Sequence, residues 1–218
     1  MIHHFRHWNK LSTLVLTPLL LGVPIWLHNS PASSSPPYSP IHSLAQPFQI
    51  ALTSQEQSTL QQGRVLFAGQ EGNYTARVMA NGSVDTAWAV LTDYNHFSNF
   101  LPSVESSKLI ESNGSQKKFE QVNAVRVFLF TRRERVVIAT SEDYPAKISF
   151  GLAEGNLKSL QGAWLITKAG NQVMITHQVS VNPGRSGRGL FFSIYEDNLR
   201  KTMAAVKQEI ERRSGRSA

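Results

Sequence analysis

Only two side chains able to exchange a proton near neutral pH, His96 and His177, lie in the part of the chain patterned to fold; the other five of the seven histidines precede Ala51. His177 stands among Val173, Ile175, Val179 and Val181, and a spacing of two places all five on one face of a strand. An imidazole on an inward face is a candidate for acid/base chemistry, or else a buried structural histidine. Arg126, Arg132, Arg133 and Arg135 follow, with Glu120 and Glu134 among them. Alternation puts Arg133 and Arg135 on one face and Arg132 with Glu134 on the other. An inward Arg133 or Arg135 would hold a ligand carbonyl or headgroup through its forked donors, whereas an outward one would pair with carboxylates across strands.

Other chemistries lack their residues. The chain has no cysteine, which removes thiolate metal sites, thiol nucleophiles and disulfides. There is no His-x-x-x-His, no Gly-rich phosphate loop and no Gly-x-Ser-x-Gly elbow, so zinc, nucleotide and hydrolase chemistry are not expected, nor is any metal or cofactor.

The elements that must position these residues follow from hydrophobic period. Thr53 and Glu56 fit a capping box opening a short helix over 54–62. Strands are expected over 64–68 and 74–80, joined at Glu71-Gly72 as a hairpin. Ser83 opens a second short helix running to about Thr92, and a further helical turn spans 95–100. The period then changes to two for roughly eighty residues, over 104–111, 117–128, 131–141, 147–152, 157–168 and 172–181, with short turns between, which makes an antiparallel meander. From Leu190 to Arg213, Phe191, Ile194, Tyr195, Leu199, Met203, Val206 and Ile210 recur at three and four, one apolar face of a helix roughly 35 Å long.

Ahead of this domain, Arg6 and Lys10 precede the uncharged stretch 11–27, and a Ser/Pro-rich run follows. The pattern is that of a signal peptide or an N-terminal membrane anchor over 1–29, with a flexible linker over 30–49, a folded domain over 50–213 and a disordered tail over 214–218. The stretch is near the lower length for a bilayer span and contains Pro18 and Pro24, so cleavage and retention are both compatible with it. Positive charge on its N-terminal side puts the domain on the non-cytoplasmic side, in the periplasm or an equivalent lumen.

Composition agrees with one domain plus a leader: 218 residues, 41% hydrophobic and 17% charged. The net charge of +7 is spread along the chain with no run of Lys and Arg longer than two, which argues against nucleic acid as a partner and fits contact with an anionic membrane surface.

The order of early strand, short helices, long meander and long final helix, with Trp88-Ala-Val-Leu-Thr-Asp-Tyr94, Phe97, Phe100, Leu101, Pro102, Gly162-Ala-Trp164 and the Pro183 turn, resembles the START-like superfamily of polyketide cyclase/dehydrase and lipid transport proteins, in particular its coenzyme Q-binding and bacterial cyclase/dehydrase branch. The resemblance covers about 74–213 and implies an α+β helix-grip fold, a curved antiparallel sheet around the C-terminal helix. It further implies a cavity for an apolar ligand such as a quinone, lipid or isoprenoid. Phe128, Phe150, Trp164, Tyr195, Leu199 and Met203 would supply its walls. His96 falls where such proteins have their cavity mouth, in a capping or lid-packing role. Three functions remain open at this point: binding or transport of the ligand, a cyclase/dehydratase-like enzyme using His177 or an inward Arg, and an interaction domain with a filled core.

Overall fold

Thr53 and Glu56 close the expected capping box: the Glu56 amide donates to Thr53 Oγ1 at 3.2 Å, and the Thr53 amide donates to Glu56 Oε2 at 2.8 Å. They start helix α1 (Ser54–Gln61) in the computed structural model, which describes residues 52–127, 130–184 and 188–215, with backbone alone at 125–127 and 130. The leader, the linker and Phe128 lie outside the described residues. No helix among the described residues is long and apolar enough to cross a membrane.

Strands β1 (Leu66–Gln70) and β2 (Asn73–Asn81) form the expected hairpin. Ser83 caps helix α2 (Val84–Leu91) by accepting the Thr86 amide at 3.0 Å, and a 3-10 turn follows at Phe97–Asn99. The meander is β3 (Val104–Asn113), β4 (Gln116–Val127), β5 (Phe130–Asp143), β6 (Lys147–Glu154), β7 (Ser159–Ala169) and β8 (Gln172–Asn182). Helix α3 (Arg188–Arg213) ends the chain's regular structure, and Ser214 and Gly215 turn back on its last carbonyls.

All eight strands join one antiparallel sheet in the order β1-β2-β8-β7-β6-β5-β4-β3. The first hairpin therefore attaches to the last strand of the meander. Register shifts in β3 and between β5 and β6 bend the sheet as bulges do. This is the helix-grip α+β arrangement.

The face of the sheet under the helices is set by period two. On β2 the buried residues are Tyr74, Ala76, Val78 and Ala80; on β8 they include Val173, Ile175, Val179 and Val181. Leu199, Met203, Val206 and Ile210 of α3 and Ala87, Val90 and Leu91 of α2 complete this cluster. A second cluster packs Tyr94 and Phe97 onto Phe119 of β4 and Ile138 of β5. Burial of such side chains is worth roughly 1.5–3 kcal/mol each and is the main force holding the helices on the sheet.

Polar ties fix the C-terminal half of α3. Buried Glu211 accepts the Asn81 amide at 3.0 Å and the Lys207 ammonium at 2.6 Å. Arg213 donates to Glu209 at 2.7 Å and to Asp93, at the end of α2, at 2.8 Å. Both guanidiniums on Glu209, from Arg212 and Arg213, hold its carboxyl at about 2. From Arg188 to Tyr195, by contrast, the helix meets the sheet through aromatic contact alone among the described residues: Tyr195 stacks on Tyr74 with centroids 5.9 Å apart.

Candidate functional site

Strand register places the chemistry. One row across the helix-covered face runs Ala76, His177, Trp164, Ile148; the next runs Tyr74, Val179, Gly162, Phe150, Thr140. His177 thus faces inward, as its company of valines and isoleucine suggests. Its imidazole lies parallel to the Phe150 ring, 8° and 5.3 Å between centroids, and 3.9 Å from Trp164. Gly162 makes this possible: a Cβ there would stand 2.1 Å from the Gln178 carbonyl and 2.6 Å from Phe150 Cζ, so only glycine lets Phe150 lie across β7.

His177 is 7% exposed, and that burial pushes its pKa down to about 3. Its Nδ1 has no hydrogen-bond partner among the described residues, and the buried Tyr74 hydroxyl makes no well-formed hydrogen bond but lies near the Gly72 backbone and the Glu196 carboxyl. Burial also raises Tyr74 and Tyr195 above the usual phenol range. A histidine held neutral through the physiological range is a poor general base, because proton transfer is most effective when the pKa lies near the working pH. It remains a hydrogen-bonding group.

Around this point the burial of the apolar side chains is incomplete. Phe150, Trp164 and Leu160 on the sheet, Phe191 and Tyr195 on α3, and Leu101 before β3 point into the space between sheet and helix yet are only partly buried. Partly exposed apolar side chains of this kind are the residue types that line sites for apolar molecules. Leu199 and Met203 sit further along α3 in the packed core, with Met203 at 0% exposure. They support the wall rather than form its surface.

The arginines correct an expectation. The β4–β5 ladder is regular from end to end, so Arg133 and Arg135 fall on the face opposite inward-pointing Ile138. Arg133 is 63% exposed and donates to Glu105 at 2.6 Å; Arg135, 50% exposed, binds Glu120 at 2.6 Å and Glu154 at 2.9 Å. Neither can contact a ligand under the helix. The inward pair is Arg132 with Glu134, which are bound to each other, and Asn156 donates to Glu134 at 3.0 Å. That amide, then Arg132, lowers the Glu134 pKa. Beside them on β4, Gln121 donates to Asn123 at 2.7 Å, and Ser103 donates to Asn198 of α3 at 3.2 Å. The far end of the inner face is therefore polar. Alternation separated Arg132 from Arg133, but the face each took could be read only once Phe119 and Ile138 were seen beneath the 3-10 turn.

His96 is exposed, with Nδ1 2.6 Å from Asp93 Oδ1. It belongs to the clamp on the end of α3, not to the inner space. An open groove of about 550 Å³ across β1, β2, β7 and β8 is lined by Thr75, Gln161, Gln178 and Ser180 and also touches Tyr74, Phe150 and Gly162.

The family model for polyketide cyclase/dehydrase and lipid transport matches residues 81–206. Similar solved structures include a Thermus thermophilus protein, with a TM-score of 0.58 at 14% identity, covering 64% of this chain and 97% of that one. The Zhui aromatase/cyclase of a Streptomyces species superposes with a TM-score of 0.55 at 19% identity, covering 65% and 94%. A STAR-related lipid transfer protein of Xanthomonas axonopodis gives 0.54 at 17%, covering 67% and 92%. At these identities the likeness is one of fold. No curated protein matches the sequence.

Proposed function

Because the chain belongs to the polyketide cyclase/dehydrase and lipid transport family, we propose that it binds or carries an apolar molecule, a quinone, lipid or other isoprenoid, in the space between the sheet and the first half of α3. The observation that carries this reading is the partial exposure of inward-facing Phe150, Leu160, Trp164, Phe191 and Tyr195 beside a core that is otherwise closed. Walls of this kind return hydrophobic free energy only when an apolar guest covers them. The lipid-transfer neighbour is consistent with it. The domain acts at or across a membrane, on the non-cytoplasmic side, delivered there by the leader over 1–29; fractionation of cells making the full chain would place it, and recovery in the cytosol would end that part of the reading.

Organic extraction of the purified full chain, with native mass spectrometry, tests the binding function. A stoichiometric apolar molecule that leaves on Tyr195→Asp substitution is the expected result. A protein that is stable, empty and unable to take up quinones or lipids would overturn it.

A second reading, a cyclase-like enzyme, draws on the aromatase/cyclase neighbour and on inward-facing His177. The low pKa of that histidine weighs against acid/base work and favours binding. Turnover of a polyketide substrate lost in His177→Gln, with ligand affinity kept, would reverse the order of the two.

A further inference from the structure

We infer that the hydrogen bond from Ser103 to Asn198 is a latch that holds the first half of α3 in place, and that a guest enters and leaves when it opens. The admission role rests on the binding reading above.

The backbone marks Ser103 first. It stands directly after Pro102 with φ at 64°, in the left-handed region that residues with a Cβ rarely adopt. After a turn proline that conformation ordinarily belongs to glycine, which takes it without strain. Serine takes it at a cost, and the hydrogen bond its side chain supplies in return is to α3: the hydroxyl donates to Asn198 Oδ1 at 3.2 Å, across 95 residues of chain.

The turn that carries Ser103 is a firm base. The Leu101 amide donates to the Phe97 carbonyl at 2.8 Å, and the Ala124 amide of β4 donates to the Ser103 carbonyl at 2.7 Å. Leu101 packs against both apolar clusters. On the helix, Asn198 lies three residues after Tyr195, on the same face. Among the described residues it makes the one side-chain hydrogen bond between 188–198 and another element. Arg200, stacked over the Phe67 ring of β1 at 3.9 Å, is the next tie, and the bonds of Glu211 and Arg213 come about three turns later. With the Ser103 bond made, the unfastened span ends near Tyr195; with it broken, the span extends to Arg200. A single half-buried hydrogen bond between neutral groups has a small net worth, so it can open while the domain stays folded.

Hydrogen exchange on the full chain reads the latch. Ser103→Gly, which relieves the strained φ, and Asn198→Ala, which puts a better helix former on α3, each remove the bond without weakening the fold elsewhere. Both should melt close to the unaltered chain, with amides over 192–199 exchanging about fivefold faster, the scale of one net hydrogen bond, and those over 203–210 unchanged. Release of N-phenyl-1-naphthylamine, a neutral fluorescent lipophile, should quicken by about the same factor. Unchanged exchange over 192–199 in both variants overturns the latch and leaves the binding reading standing. A rise that spreads over 203–210 with a lower melting temperature also overturns it, because the bond would then belong to the fold as a whole. Faster exchange with unaltered probe release overturns the admission role. Failure of the unaltered chain to take up the probe removes the binding reading, and the admission role with it.

Discussion

Lowering the pH from about 7 to about 5 is expected to cost the fold about 2 kcal/mol through His177 alone. The imidazole is enclosed by Phe150, Trp164 and strand backbone, and its pKa falls to about 3 in the folded state, while an unfolded histidine titrates near 6.5. The folded pKa is the lower of the two, so between these values the unfolded chain binds the extra proton. The stability held by the neutral ring is complete above roughly pH 6.5 and drains away as the pH falls, levelling off only near 3. At about pH 5 the unfolded imidazole is roughly 97% protonated, which lowers its free energy by about 2 kcal/mol, and the folded ring is still neutral. The clamp carboxylates Asp93 and Glu209 are also held below their usual range, and their contribution drains away as the pH falls below about 5, where unfolded carboxyls take up protons, a loss common to both proteins compared below. Urea unfolding at the two pH values, for the unaltered chain and for His177→Leu, isolates the term as a difference within each protein. The unaltered chain should lose about 2 kcal/mol more than the variant. Identical losses would mean that the folded imidazole is hydrated or charged, and the argument from its burial would fail.

Three further outcomes follow from packing and exposure. Met203→Ala should destabilise the domain by about 2–4 kcal/mol, seen as a clear fall in melting temperature, because the side chain is fully enclosed; an unchanged melting temperature would make it a cavity wall after all. Gly162→Ala is expected to displace Phe150, to cost about 1–3 kcal/mol, and to weaken ligand uptake, since the new methyl group would meet the Gln178 carbonyl; normal stability and uptake would show that β7 yields at that point. Arg133→Ala and Arg135→Ala should melt and bind ligand like the unaltered chain, being outward-facing ion pairs in water; loss of uptake in either would restore them to the site.

Much of this architecture is written in local pattern. Period two gave six consecutive strands, and the three-and-four spacing from Phe191 to Ile210 gave α3, because each pattern reports which side of a single element is covered. The capping box at Thr53 is equally local. What single elements do not encode is pairing at a distance. Nothing around Tyr74 says that β2 will lie beside β8, yet that pairing joins the first hairpin to the end of the meander and sets Ala76 opposite His177. The same applies to β5: alternation separates Arg132 from Arg133 but is symmetric to exchange of faces, and only the cover over Ile138 breaks the symmetry. On α3 the apolar stripe is continuous in sequence, so the change from partial burial at Tyr195 to full burial at Met203 depends on what lies beneath each turn.

The one-sided fastening of α3 makes it a cantilever. Glu211 on Asn81 and Arg213 on Asp93 root the helix at its C-terminal end, while the span from Arg188 to Tyr195 rests on stacked rings. Deflection of a beam fixed at one end grows toward the free tip, so amide hydrogen exchange should rise along α3 from Ile210 back to Phe191. If the chain binds a guest as proposed, such a gradient would let it pass under the tip while Met203 and Val206 stay seated, separating the cost of admission from the stability of the fold. Opening of the tip would then be set apart energetically from unfolding of the domain.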